Sequence, residues 1–415
     1  MAPVDRTLQH LSFFEALGGM AESDARWSAT TAGLVTLRLV DDWLEQGPAA
    51  VSRDAWGVHA VREAIDAVPE SDPVRRILHG IVDAMIDASV ASPSLVTPRL
   101  MAYGRALDFA GQWHLAADIF RTVVAHTHPA EEPDLAIDAH MQLGYCTRLT
   151  GDLDAAGVAY RAAGRVAARI GDMVKVLRAQ IADAKLALTR GNLPEAERLL
   201  DATITQARAH KLTEVHAVAL HDRGGVAHAR GQYEVAIRYA YEALEGTTNP
   251  EARDRVLSDI AATFIDLGVR SAARDALLVL AATAQAQYSR WLAAINLIEV
   301  ATLDRREPVF EQYRRELAGA PLPPTLEVWY LVYVGEGYRA FGRLDAARTM
   351  LARALEVATQ HQLNQVLFRA EKGLREIDAG LTLEAASAAV ADAPAAIQDV
   401  VDAISEMRAM AGVAM

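Results

Sequence analysis

Four segments decide the reading of this chain: Gly111-Gln-Trp-His-Leu-Ala116, Gly151-Asp-Leu-Asp-Ala-Ala156, Gly191-Asn-Leu-Pro-Glu-Ala196 and Gly231-Gln-Tyr-Glu-Val-Ala236. Their glycines recur every 40 residues, and alanine follows each glycine five positions later. Glycine tolerates the left-handed backbone that stops a helix, where a β-carbon would clash. Alanine lets the next helix approach its neighbour closely. Each segment therefore predicts a helix ending at the glycine, a tight turn, and a second helix running back. Seven residues before the turn stand Gly104, Gly144 and Gly224, with Ala184 in the third copy. Four residues beyond the alanine comes a larger side chain in Phe120, Tyr160 and Leu200; the fourth copy has Ala240 and is packed more loosely or filled differently. Two further copies match: Ala261, Gly268 and Ala273, then Gly335, Gly342 and Ala347.

A period of this length is the mark of a repeat architecture. The second copy carries Leu143, Gly144, Gly151, Leu153, Ala156, Tyr160 and Ala163; the last carries Gly335, Tyr338, Gly342, Leu344, Ala347, Leu351 and Ala354. In these residues the chain resembles the tetratricopeptide repeat family. The resemblance implies an all-α fold, a right-handed superhelical solenoid of antiparallel helix pairs. The 40-residue spacing exceeds the usual length of about 34, so either the helices or the inter-repeat loops are longer. The sensor regions of large bacterial transcription activators are similar in this respect. Asp183 and Arg223 stand where the family prefers a large apolar residue, which leaves the phase of two first helices open.

Outward from the repeats, residues 93–360 read as the solenoid. A degenerate pair and a proline-rich loop occupy 291–326, where the turn Asp304-Arg-Arg-Glu-Pro308 replaces glycine and Ala318-Gly-Ala-Pro-Leu-Pro-Pro324 breaks any helix. Residues 1–92 read as a divergent helical cap, with Leu34, Leu37, Val40 and Leu44 on one helix and Ile77, Ile81 and Met85 on another. A stack of repeats needs such caps over its apolar ends. The alanine-rich stretch 361–415 reads as carboxy-terminal capping helices. Ile397, Val400, Val401, Ile404 and Met407 form one face there, expected to dock on the last repeat, with a homodimer through the C-terminal helix as the alternative.

The chain has 415 residues, 52% hydrophobic and 23% charged, with a net charge of −13 and only four lysines. That balance lacks the footprint of a nucleic-acid binder. Glu15 interrupts the apolar stretch a signal peptide needs, and the longest apolar run, 276–289, is too short to insert in a membrane. A cytoplasmic protein is expected. The single cysteine, Cys146, cannot form an intramolecular disulfide and reads as a core thiol.

Catalytic signatures are lacking. No Gly-Lys pair exists for a phosphate loop, and neither a His-Glu-x-x-His helix nor a Gly-x-Ser-x-Gly elbow occurs. His126, His128, Glu131 and Glu132 lie in a proline-bounded loop and read as solvated rather than as metal ligands. Asp41 and Asp42 likewise read as solvated surface. No cofactor, metal or catalytic residue is expected.

The family resemblance places partners in the concave surface lined by each first helix. Residues three to four apart share that face: Met101, Arg105 and Asp108; Asp138, Met141, Tyr145 and Arg148; Arg178, Ile181 and Lys185; His221 and His228; Arg255 and Ser258. Basic residues outnumber acidic ones in this set, and arginine grips carboxylates in bidentate fashion. The expected function is a non-enzymatic scaffold or adaptor binding a protein or peptide, acidic segments being favoured. The alternative is a regulatory sensor of a small ligand or signalling peptide.

Overall fold

A computed structural model describes residues 9–24, 26–46, 55–86, 93–361, 363–380 and 392–412. Twenty α-helices and no strands occur among them. In chain order they are α1 (Leu11–Gly18), α2 (Trp27–Gln46), α3 (Ala55–Asp66), α4 (Pro73–Ile86), α5 (Pro93–Phe109), α6 (Trp113–His126), α7 (Pro133–Leu149), α8 (Leu153–Arg169), α9 (Met173–Thr189) and α10 (Leu193–Ala209). They continue as α11 (Thr213–Ala229), α12 (Tyr233–Gly246), α13 (Pro250–Leu267), α14 (Arg270–Thr283), α15 (Gln287–Leu303), α16 (Glu307–Leu317), α17 (Pro324–Ala340), α18 (Leu344–Gln360), α19 (Asn364–Asp378) and α20 (Gln398–Met410). The fold is all-α and tetratricopeptide-like, built from sequential antiparallel pairs.

The turns show how the period arises. Gly111, Gly151, Gly191, Gly231, Gly268 and Gly342 adopt φ between +71° and +88°. At Gly191 the amide of Asn192 donates to the carbonyl of Ala187 and that of Gly191 to Leu188, both at 2.9 Å, closing the helix end as a left-handed residue allows. The following residue opens the next helix: Asp152 accepts from the amide of Ala155 at 3.0 Å, and Asn192 from that of Glu195 at 3.3 Å. Helices α7 to α11 are each 17 residues long and joined by three-residue turns. The six residues beyond the usual repeat therefore lie in the helices, not in the connections. Gly171 and Lys211, at φ +73° and +57°, make the turns between repeats. In the degenerate pair Arg305 takes the left-handed position at φ +55°.

The chain divides into two compact units, residues 1–182 and 183–415. In the first, α1 packs on α2 and α6, α2 on α3 and α4, and the succession α4 to α8 packs neighbour on neighbour. Its core runs through Phe13, Leu37, Trp43, Leu78, Tyr103 and Phe120. Gly104 and Gly144 make the pairs fit, since a β-carbon there would stand 2.5 Å from the ring of Phe120 or Tyr160.

The assignment of Asp41 to solvated surface is corrected here. Asp41 is buried, with Oδ2 2.7 Å from Nε2 of His10, and His10 Nδ1 lies 3.1 Å from Oδ1 of Asp118. Ser12 donates to the same Asp118 at 2.5 Å. Burial by itself would lower the pKa of His10, but hydrogen bonds and charge from Asp118 and Asp41 outweigh it and raise the value to about 9. The imidazolium thus ties α1 to α2 and α6.

In the second unit, α10 to α16 pack in sequence, α17 packs on α15, α18 on α17, and α19 covers α17 and α18. Here the expected destination of the C-terminal helix is corrected. Helix α20 packs on α14 and α12, not on the last pair. Ile397, Val400 and Ile404 are fully buried there. Arg238 clamps Asp399 with bonds of 2.7 and 2.8 Å, and Arg408 reaches Asp275 at 2.8 Å. The apolar face proposed for a homodimer is thereby consumed within the chain.

Candidate functional site: the surface of the first helices

In the first unit, α5 and α7 are first helices of successive pairs. Arg105, Asp138 and Tyr145 are exposed on them, Met141 and Arg148 half-buried. Arg105 approaches Asp138 at 3.9 Å, and the Arg148 guanidinium lies 5.5 Å from the centre of the Tyr145 ring. Lys175 on α9 bonds Asp134 on α7. Arg178 is exposed and Asp108 half-buried, whereas Met101, 2% exposed, lies in the core and offers no surface to a partner. Ile181 is also buried. Cys146 is a fully buried free thiol, which burial and the nearby charge of Asp108 push far above the ordinary value.

In the second unit, Lys185 of α9 pairs with Asp222 of α11 at 3.0 Å. His221 and His228, two turns apart on α11, each meet an aspartate on α13: His221 Nε2 lies 2.7 Å from Asp259 and His228 Nε2 2.8 Å from Asp266. Both offsets are 38 residues, nearly one repeat, because consecutive first helices lie side by side. Arg255 is exposed one turn before Asp259, and Ser258 is buried. Between α11, α12 and α13 opens a cleft of about 250 Å³, walled by His221, His228 and Asp259 and floored by glycine, alanine and Thr263.

Arg223 settles the phase of α11. It is 8% exposed, on the side toward α10, where it bonds Asp201 at 3.0 Å and also Glu197, with its guanidinium 5.1 Å from the Tyr239 ring centre. A buried cation is tolerable only with such pairing.

A second cluster on first helices escaped the sequence reading. Arg369 of α19 makes two 2.7 Å bonds to Glu336 of α17 and one of 3.2 Å to Glu299 of α15, with its guanidinium 5.5 and 4.9 Å from the rings of Trp329 and Tyr333. Burial raises the pKa of Glu299 despite the opposing charge of Arg369. Glu336 and Glu299 lie 33 and 70 residues from Arg369, so no local motif joins them to it. Among the described residues, no three histidine, cysteine or carboxylate side chains come together as metal ligands, and no helix is long and apolar enough to cross a membrane.

No family model and no curated protein matches the sequence. Solved structures that do match include NprR in complex with its cognate peptide NprX, 15% identical, covering 77% of this chain and 98% of that one with a TM-score of 0.48. A Rap protein complexed with competence and sporulation factor is 11% identical, covering 80% and 98%, with a TM-score of 0.47. Aspartyl phosphate phosphatase F from Bacillus subtilis is 12% identical, covering 81% and 95%, with a TM-score of 0.46.

Proposed function

We propose that this chain binds an extended protein or peptide segment along its first helices and acts as a non-enzymatic scaffold or adaptor. The observation that carries the reading is the run of side-chain pairs joining consecutive first helices. Arg105 to Asp138 and Lys175 to Asp134 lie in the first unit; Lys185 to Asp222, His221 to Asp259 and His228 to Asp266 lie in the second. Such pairs hold neighbouring helices in register while leaving polar edges for a ligand backbone to bond. In the cleft the hydroxyl of Thr263 donates to the carbonyl of Asp259 at 2.8 Å, so this hydroxyl is engaged in the helix rather than poised as a nucleophile. On the first unit Arg105, Arg148, Arg178 and Lys175 stand against Asp108, Asp134 and Asp138, a narrow basic excess that supports an acidic segment there. The cleft supports a second reading, a sensor that takes up a small ligand or signalling peptide.

Panning a random peptide display library on the full chain tests the proposal. Enrichment of acidic sequences that bind wild type and are lost by Arg148→Glu with Arg178→Glu is expected. Failure to enrich any sequence would sink the segment-binding reading; retention by the double reversal would sink the acidic preference.

A further inference from the structure

Three helix pairs close on the same lock, a small residue on the first helix receiving a large side chain 16 positions later. These are Gly104 with Phe120, Gly144 with Tyr160 and Gly335 with Leu351, where an added β-carbon would stand 2.5, 2.5 and 2.8 Å from the incoming side chain. The pair α11 and α12 departs from this rule. Sixteen positions after Gly224 stands Ala240, which cannot fill the space. The helices draw together in part, so that a β-carbon on Gly224 would meet the carbonyl oxygen of Ala236 at 3.0 Å. They do not close it. The cleft of about 250 Å³ opens at this level, lined by Gly224, Gly225, Ala236, Ala240 and Ala262 below the two histidines.

We infer that this cleft receives an aromatic side chain from the bound segment, completing from outside the lock that Phe120 and Tyr160 complete from within. The inference rests on the segment-binding reading and names one residue class of that segment. The volume suffices, since an apolar cavity of roughly 150 Å³ already holds benzene. The chemistry of the rim selects within the aromatic class. His221 is bound to Asp259, and His228 to Asp266 with its ring 5.3 Å from that of Tyr233. Asp259 is an exposed carboxylate on the wall of the cleft, able to accept from an indole N–H or a phenol O–H. Tryptophan and tyrosine carry an apolar body and such a donor at its edge.

The test titrates the full chain with N-acetyl-tryptophanamide and N-acetyl-alaninamide, following the methyl resonances of Ala236, Ala240 and Ala262. The tryptophan amide should shift these three methyls saturably and the alanine amide should not. Ala240→Leu, which supplies the missing side chain, should weaken the tryptophan amide at least tenfold while the melting temperature is held or raised. Gly225→Leu, on an open wall of the same cleft, provides a second obstruction if Ala240→Leu does not fold. Shifts confined to other alanines, or undiminished binding by a folded obstructed variant, would overturn the inference. Displayed peptides that bind wild type and Ala240→Leu equally would remove the aromatic receptor and leave segment binding standing. Tryptophan amide binding that depends on Ala240, with no peptide captured, would do the reverse.

Discussion

Gly144 and Tyr160 show what one methyl group means in this fold. The ring of Tyr160 occupies the place where a β-carbon of residue 144 would be, 2.5 Å away, and both residues are buried. Gly144→Ala should therefore cost about 1–3 kcal/mol through overpacking, read as a lower urea midpoint. Gly225, also helical but with nothing within 4 Å of a β-carbon, is the control. Gly225→Ala should gain up to about 1 kcal/mol from helix propensity. Equal effects at the two positions would refute the lock. His10 makes a different prediction at the same scale. Its pKa is raised from an ordinary 6.5 to about 9, so the stabilisation is fully present below 6.5 and is lost as the pH rises through 9. The full linkage is about 3 kcal/mol. The stability gap between wild type and His10→Gln should narrow from pH 7 to pH 10, and a gap independent of pH would contradict it. Asp41 was legible in principle: Leu34, Leu37, Asp41 and Leu44 fall at spacings of three and four, which places the carboxylate on the buried stripe. What the spacing does not contain is its partner, 31 residues away in a short segment of its own.

At the scale of elements, periodicity carries nearly everything local. A glycine at φ +73° to +88° followed by aspartate or asparagine, as at Gly151-Asp152 and Gly191-Asn192, stops one helix and caps the next, and both residues are adjacent in sequence. The destination of α20 is the contrary case. An apolar face at Ile397, Val400 and Ile404 demands a partner surface, but any groove of matching size satisfies that demand. Arg238 and Asp275 make the choice, lying 161 and 133 residues from their mates on α20. Ile404→Asp places a charge in a fully buried position and should release the helix. Hydrogen exchange over residues 395–410 should then rise at least tenfold while α17 and α18 keep their protection. Unchanged exchange would mean that the docking does not depend on this face.

For the molecule as a whole, the charge of −13 conceals a surface organised by pairing. Each exposed pair is worth about 0–1 kcal/mol, so the pairs along the first helices add little to stability. Arg148→Glu with Arg178→Glu should weaken an acidic partner by roughly an order of magnitude in low salt, and added salt should shrink the difference. The sequence by itself determined the helices, their turns, the 40-residue period and the small-residue positions where helices meet. Each of these follows from neighbours within a few residues, where backbone conformation and side-chain size act locally. Tertiary structure alone decided that Asp259 and Asp266 meet the histidines, that Arg369 gathers Glu299 and Glu336, and that α20 returns to α12 and α14. Those encounters join residues more than 30 positions apart, and only the packing of one helix pair on the next brings such side chains within reach.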